Sequence, residues 1–165
     1  DGNGRLGRLL ITLYLVSNNI LYKPALYLSD FFERNRASYY DKLTAARTNN
    51  DHRQWLTFFL VGVQETAQNG IDTFNKILQL RTVTEEKMVA SLGKRLPRAK
   101  QLINYLYSNR VTGMTEISQQ LGVDVSTAHR LIKDFENLNI LKEKTGFKRN
   151  RIFVFEEYLK LFERK

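Results

Sequence analysis

Eight residues at the start of the chain, Asp1-Gly2-Asn3-Gly4-Arg5-Leu6-Gly7-Arg8, commit it to a loop that feeds directly into a helix. Two glycines flank an asparagine, so the backbone can take positive φ and turn successive N–H groups into one concavity. Behind it, Leu6, Leu9, Leu10 and Leu13 recur at helical spacing. The helix predicted from about Leu6 to Val16 is apolar nearly all round, which is the pattern of a buried central helix, and Ser17-Asn18-Asn19 ends it. Free N–H groups at a helix start form an anion site. Arg5 and Arg8, three residues apart, add two positive forks suited to phosphate. Asp1 offers a hard oxygen ligand for Mg²⁺. Asp-Gly and Asn-Gly are also ordinary turn signals, and a plain turn is the competing reading.

These residues resemble the second half of the Fic motif, HxFx(D/E)GNGRxxR. The resemblance continues through the apolar helix, Tyr27-Leu28-Ser29, Asn35-Arg36-Ala37-Ser38-Tyr39-Tyr40 and Trp55-Leu56-Thr57-Phe58-Phe59, and covers roughly half of the chain. Fic proteins typically transfer AMP from ATP to a hydroxyl of a target protein. The resemblance implies that Asp1 holds Mg²⁺ and that Gly2, Asn3 and Gly4 wrap the α- and β-phosphates. Arg5 and Arg8 would meet the β/γ-phosphates, and Tyr40 would lie near the base and ribose. A core aromatic is the other reading of Tyr40. Arg47 stands where some relatives place an asparagine near the adenine.

The family's general base is a histidine four residues before the aspartate, and this chain starts at the aspartate. Neither His52 nor His129 follows the motif spacing. The chain therefore reads as the C-terminal piece of a longer Fic protein. By itself it is expected to be inactive, since a missing general base costs on the order of 10²–10⁴-fold in rate or more.

The remainder of the first half is helical. Pro24 suits a helix first turn, followed by the stripe Leu26, Tyr27, Phe31 and Phe32. Tyr39, Tyr40, Leu43 and Ala46 belong to the next helix. Asn49-Asn50-Asp51 is a polar turn with good capping residues. From there Trp55, Phe58, Phe59 and Val63, and then Ile71, Phe74, Ile77, Leu78 and Leu80, describe a long helix or two stacked ones, with Asn69-Gly70 as a candidate interruption. Residues 81–93 are polar with few large apolar side chains, and read as a linker.

The second half differs in charge. Residues 1–93 carry eleven Lys/Arg against nine Asp/Glu, whereas residues 94–165 carry fifteen against eight. Most of the overall net charge of +9 therefore lies beyond the linker and points to an anionic partner, nucleic acid first. A helix over about Arg98–Ser108 precedes Thr115–Val123, a short helix stopped by Gly122. Asp124 or Ser126 caps a further helix to about Leu138, with Ala128, Leu131, Ile132 and Phe135 inward. Helix, glycine turn, helix is the helix-turn-helix pattern. Ile140–Lys144 and Arg151–Phe155 read as two strands around Thr145-Gly146, and a last short helix holds Tyr158, Leu159 and Phe162.

This arrangement resembles winged helix-turn-helix domains, which often follow Fic cores. Ser126, Thr127, His129, Arg130 and Lys133 are then the recognition-helix candidates. Lys148, Arg149, Asn150 and Arg151 would be the phosphate contacts of the wing. Protein contacts through the same surface are the competing reading. Cysteine is absent, which removes disulfides and thiolate zinc sites and suits a cytoplasmic setting. No apolar run is long enough for a membrane span.

The expected fold class is mainly α. Residues 1–80 form the C-terminal part of an all-α Fic core, 81–93 the linker, and 94–165 a winged helix-turn-helix domain with a small β-hairpin. The expected function is a part of a Fic-type protein adenylyltransferase, with ATP and Mg²⁺ as cofactors of the longer protein and a target protein as substrate. The alternative is a DNA-binding transcriptional regulator in which the Fic remnant is scaffold.

Overall fold

The structure, a computed structural model, describes residues 3–21, 28–147 and 149–162, with the side chains of 3–5 and 8 left undescribed. The chain divides into two compact units, Asp1–Asp72 and Thr73–Lys165. It is mainly helical with one small antiparallel sheet.

The first unit holds α1 (Asn3–Ser17), α2 (Leu28–Arg34), α3 (Arg36–Asn49) and the first part of α4 (His52–Leu92). Leu28, Phe31 and Phe32 are its buried centre, and Ile11, Leu15, Tyr39, Trp55 and Phe58 pack around them. The ring centroids of Phe31 and Phe58 lie 5.1 Å apart, and those of Phe32 and Tyr39 lie 5.0 Å apart. Asn50 takes the left-handed conformation that stops α3, and its N–H donates to the Ala45 carbonyl. Asp51 then accepts from the Gln54 N–H at 3.3 Å and opens α4. Pro24, Leu26 and Tyr27 lie outside the described residues.

At Gly62 α4 lies close against Phe31 of α2. A Cβ built there would sit 2.5 Å from Cδ1 of Phe31. The gain in helix propensity on going to alanine is about 1 kcal/mol, but displacing a buried ring costs more. Gly62→Ala is therefore expected to lower the stability of the first unit by a net of about 1–2 kcal/mol, measured by chemical denaturation followed through Trp55 fluorescence.

Two readings of this half need correction. The motif helix is not buried: Leu6, Leu9, Leu10, Leu13 and Tyr14 are between 51% and 64% exposed. A helix that is apolar all round needs partners on every side, and among the described residues α1 contributes Ile11 and Leu15 to the aromatic cluster. Nor does Asn69-Gly70 interrupt α4, which is continuous from His52 to Leu92.

The linker assigned to residues 81–93 is likewise helix almost to its end, closed by a 3-10 turn over Gly93–Arg95. Thr84, Met88 and Leu92, four residues apart, are buried, and Met88 and Leu92 enter the core of the second unit. Four-residue spacing places them on one helix face, while the intervening polar residues meet water.

The second unit continues with α5 (Leu96–Ser108), β1 (Val111–Gly113), α6 (Met114–Leu121), α7 (Val125–Asn137), β2 (Lys142–Glu143), β3 (Ile152–Val154) and α8 (Glu156–Lys160). The sheet order is β1-β3-β2, antiparallel throughout, with Val111 opposite Val154 and Glu143 opposite Phe153. The hairpin of β2 and β3 is the wing; its strands are shorter than the sequence reading, and β1 is an additional strand. Leu102, Ile103 and Leu106 of α5, Ile117 of α6 and Leu131, Ile132 and Phe135 of α7 fill the core with Phe153 and Phe155. Among the described residues, no helix is long and apolar enough to cross a membrane.

Candidate nucleic-acid interface

The corner between α6 and α7 is set by two local devices. Gly122 has φ +58°, and its N–H bonds back to the α6 carbonyls, so the helix stops there at little steric cost. Asp124 then caps α7: its carboxylate accepts the Thr127 N–H at 2.9 Å, the Thr127 hydroxyl at 2.8 Å and the Ser126 hydroxyl at 2.6 Å. Arg98 of α5 locks the corner from behind, donating to the Leu121 carbonyl at 3.0 Å.

This geometry divides α7 into two faces. Ala128, Leu131, Ile132 and Phe135 are buried. Ser126, His129, Arg130 and Lys133 are exposed, and Thr127 is half-buried. Both hydroxyls near the helix start are engaged as donors to Asp124. Arg130 reaches back one turn, with Nη2 3.4 Å from Ser126 Oγ and Nε 3.5 Å from the Ser126 carbonyl oxygen.

The wing is tied down by two carboxylates. Glu143 accepts the Thr145 N–H at 2.7 Å, the Gly146 N–H at 3.0 Å and the Thr145 hydroxyl. Glu156 pairs with Lys144, and with Lys142 at 3.6 Å, joining α8 to the start of the hairpin. Arg149 and Arg151 are exposed, and Phe147 stands 61% exposed beside them. Arg151 also has a local role: its Nε donates to the Phe147 carbonyl at 2.9 Å. Lys148 lies outside the described residues.

A cleft of about 750 Å³ separates the start of α7 from the wing. Val111, Met114, Val125 and Ile152 are among its apolar lining, His129, Arg149 and Arg151 bring basic groups to it, and Glu116 brings one carboxylate. The structure therefore brings one recognition-helix candidate, His129, together with three wing candidates, Arg149, Asn150 and Arg151, while Arg130 and Lys133 lie farther along the exposed face of α7.

Residues 96–144 match the IclR helix-turn-helix domain. The matched segment runs from α5 through β2 and contains the whole α6–turn–α7 corner. It supports a DNA-binding, transcription-regulator-like reading of the second unit.

The sequence pointed to the exposed face of α7 and offered Asp124 or Ser126 as its cap, of which the structure selects Asp124, but missed one supporting residue, Arg98. Asp124 was legible as a cap, yet its capture of both hydroxyls was not. Arg98 has no local signal, because its acceptor lies 23 residues away. In the first unit, Asp1 and Gly2 and the side chains of Asn3, Arg5 and Arg8 are outside the described residues. Asn3 and Gly4 stand in the first turn of α1, so the helix begins three residues earlier than the leucine spacing gave. Tyr40 is 54% exposed, so it is no core residue. Its ring lies edge-on to Tyr39 at 5.2 Å, with the Arg36 guanidinium 5.8 Å away.

The electrostatics predict an acid-sensitive module. The Ser126 hydroxyl, then the Thr127 hydroxyl and N–H, hold Asp124 well below the usual carboxylate range. The Thr145 hydroxyl lowers Glu143, and the Lys144 ammonium lowers Glu156. A carboxylate depressed in the folded state stabilises fully above its unfolded pKa, and that contribution is lost as pH falls through the folded value. Thermal melts of the protein are thus expected to be flat in these contributions above about pH 5 and to fall below about pH 4. Asp124→Asn should make the acid limb shallower, since asparagine keeps the cap without the titrating charge.

Proposed function

We propose that the second unit binds duplex DNA as part of a transcriptional regulator, with α7 in the major groove and the wing along the neighbouring backbone. One observation carries this reading: Ser126, His129, Arg130 and Lys133 share the face of α7 that the core leaves exposed, and the wing arginines stand across a cleft from His129. Side chains on such a face meet base edges, whereas wing cations meet phosphates. The charge excess of residues 94–165 supplies the sequence-independent attraction. Fluorescence anisotropy with a labelled 25-base-pair duplex of random sequence (a length of about two and a half turns) tests it. Binding is expected at low salt, falling by on the order of 10²-fold or more between 50 and 200 mM salt. No binding at low salt overturns the reading and leaves α7 as a surface for protein contacts.

A second reading is favoured by the DGNGRLGR stretch at the start of α1. We infer that residues 1–72 derive from a Fic-type nucleotide site. The first-turn N–H groups of α1, at Asn3 and Gly4, have no acceptor within the helix and fit phosphate oxygens. Asp1 would hold Mg²⁺, Arg5 and Arg8 would face the β/γ-phosphates, and exposed Tyr40 would meet the base. In a Fic-type site Mg-ATP would give its AMP to a target hydroxyl, with diphosphate as the leaving group. Calorimetric titration with Mg-ATP tests the binding half: heat that disappears in Arg8→Ala supports it, and no heat with the unmodified chain overturns it.

A further inference from the structure

The exposed hydroxyl of Ser126 was a candidate for direct contact with DNA, but the structure gives it another role. Its proton is donated to Asp124 at 2.6 Å, so what it presents outward is lone pairs. Those lone pairs face the guanidinium of Arg130, one helical turn along, at 3.4 Å, while Arg130 Nε addresses the Ser126 carbonyl oxygen at 3.5 Å. Asp124, for its part, is occupied by the two hydroxyls and the Thr127 N–H. It aligns Ser126 without itself pairing with Arg130.

Arginine has five N–H donors in a planar fork. Contacts through Nε and one Nη2 hydrogen tether the inner edge and leave donors on the outer edge. That outer edge is the part that makes the bidentate contact to O6 and N7 of guanine. An untethered arginine on a helix surface must give up much rotamer freedom to do so; a tethered one gives up less.

From this arrangement we propose that Asp124 and Ser126 are positioning residues that set Arg130 for reading a guanine, making the Asp124–Ser126–Arg130 chain a specificity determinant of the recognition helix. The inference rests on the DNA reading above. It differs from that reading in predicting which residues govern discrimination between sequences and which govern attraction to any duplex.

The experiment begins with selection of a duplex from a randomised library by the unmodified protein. The affinity ratio between the enriched duplex and its scrambled counterpart is then measured for Ser126→Ala, Ser126→Thr, Arg130→Ala and the Ser126→Ala/Arg130→Ala double variant. Arg130→Ala and Ser126→Ala are each expected to lower the ratio by about tenfold, the scale of one bidentate base contact. Ser126→Thr, which keeps the hydroxyl, should restore most of it. In the double variant the serine change should add nothing, because its effect passes through Arg130. A Ser126→Ala effect that multiplies with that of Arg130→Ala, or no effect of Ser126→Ala on the ratio, overturns the proposal while the DNA reading stands. If the unmodified protein enriches no sequence, the sequence-reading role of α7 falls and this inference falls with it.

Discussion

Phe135→Ala is expected to cost about 3–5 kcal/mol of the second unit's stability. The ring is fully buried, in a core cluster shared with side chains of α5, α6 and β3. Its backbone carbonyl also accepts the Ile140 N–H at 2.8 Å and the Leu141 N–H at 3.2 Å, the contacts that turn the chain from α7 toward β2. Truncation to alanine leaves a cavity in the core that α5, α6, α7 and β3 share. Domains of this size have about 5–15 kcal/mol to lose, so the change removes a large share of the total. Urea denaturation followed by helical circular dichroism measures it, and a loss under 1 kcal/mol would mean that the ring is not enclosed. DNA binding should fail in parallel, since the same helix carries the core on one face and the candidate contacts on the other. Arg130→Ala, by contrast, alters an exposed side chain and should leave the denaturation midpoint close to that of the unmodified protein.

The contrast between those two variants shows why α7 was so legible in the sequence. Ala128, Leu131, Ile132 and Phe135 form an unbroken helical stripe, and all four are buried. Gly122 and Asp124, the two residues that make the corner, act on neighbours within five positions. Where the deciding partner is distant in sequence, the reading faltered. β1 is three residues long, and its partner strand lies some forty positions later. Thr84, Met88 and Leu92 are a sparse stripe within a polar run, buried by packing within the second unit. The opposite error occurred in α1, where a strong apolar pattern was read as burial. Apolar spacing specifies a face that can be buried, but the described helices cover only the side bearing Ile11 and Leu15. The DGNGRLGR stretch was legible as letters, and its residues lie largely outside the described side chains.

Replacing Lys133 and Arg149 together with alanine is expected to weaken duplex binding about a hundredfold near 0.1 M salt. It should also flatten the plot of log K against log salt by about 1.8. Both side chains are exposed, one on α7 and one on the wing. Each phosphate contact releases about 0.9 of a counterion from duplex DNA, so two lost contacts give both numbers from the same cause. The loss should be uniform across sequences, because phosphates are the same at every step. Arg151→Ala is expected to weaken binding by more than its change in slope accounts for, since Arg151 also holds the wing through the Phe147 carbonyl. Anisotropy titrations at four salt concentrations with an enriched and a scrambled duplex separate the cases. A loss of affinity with an unchanged slope would show that Lys133 and Arg149 do not meet the backbone. A loss confined to the enriched duplex would move them from the attracting group to the reading group, beside Arg130.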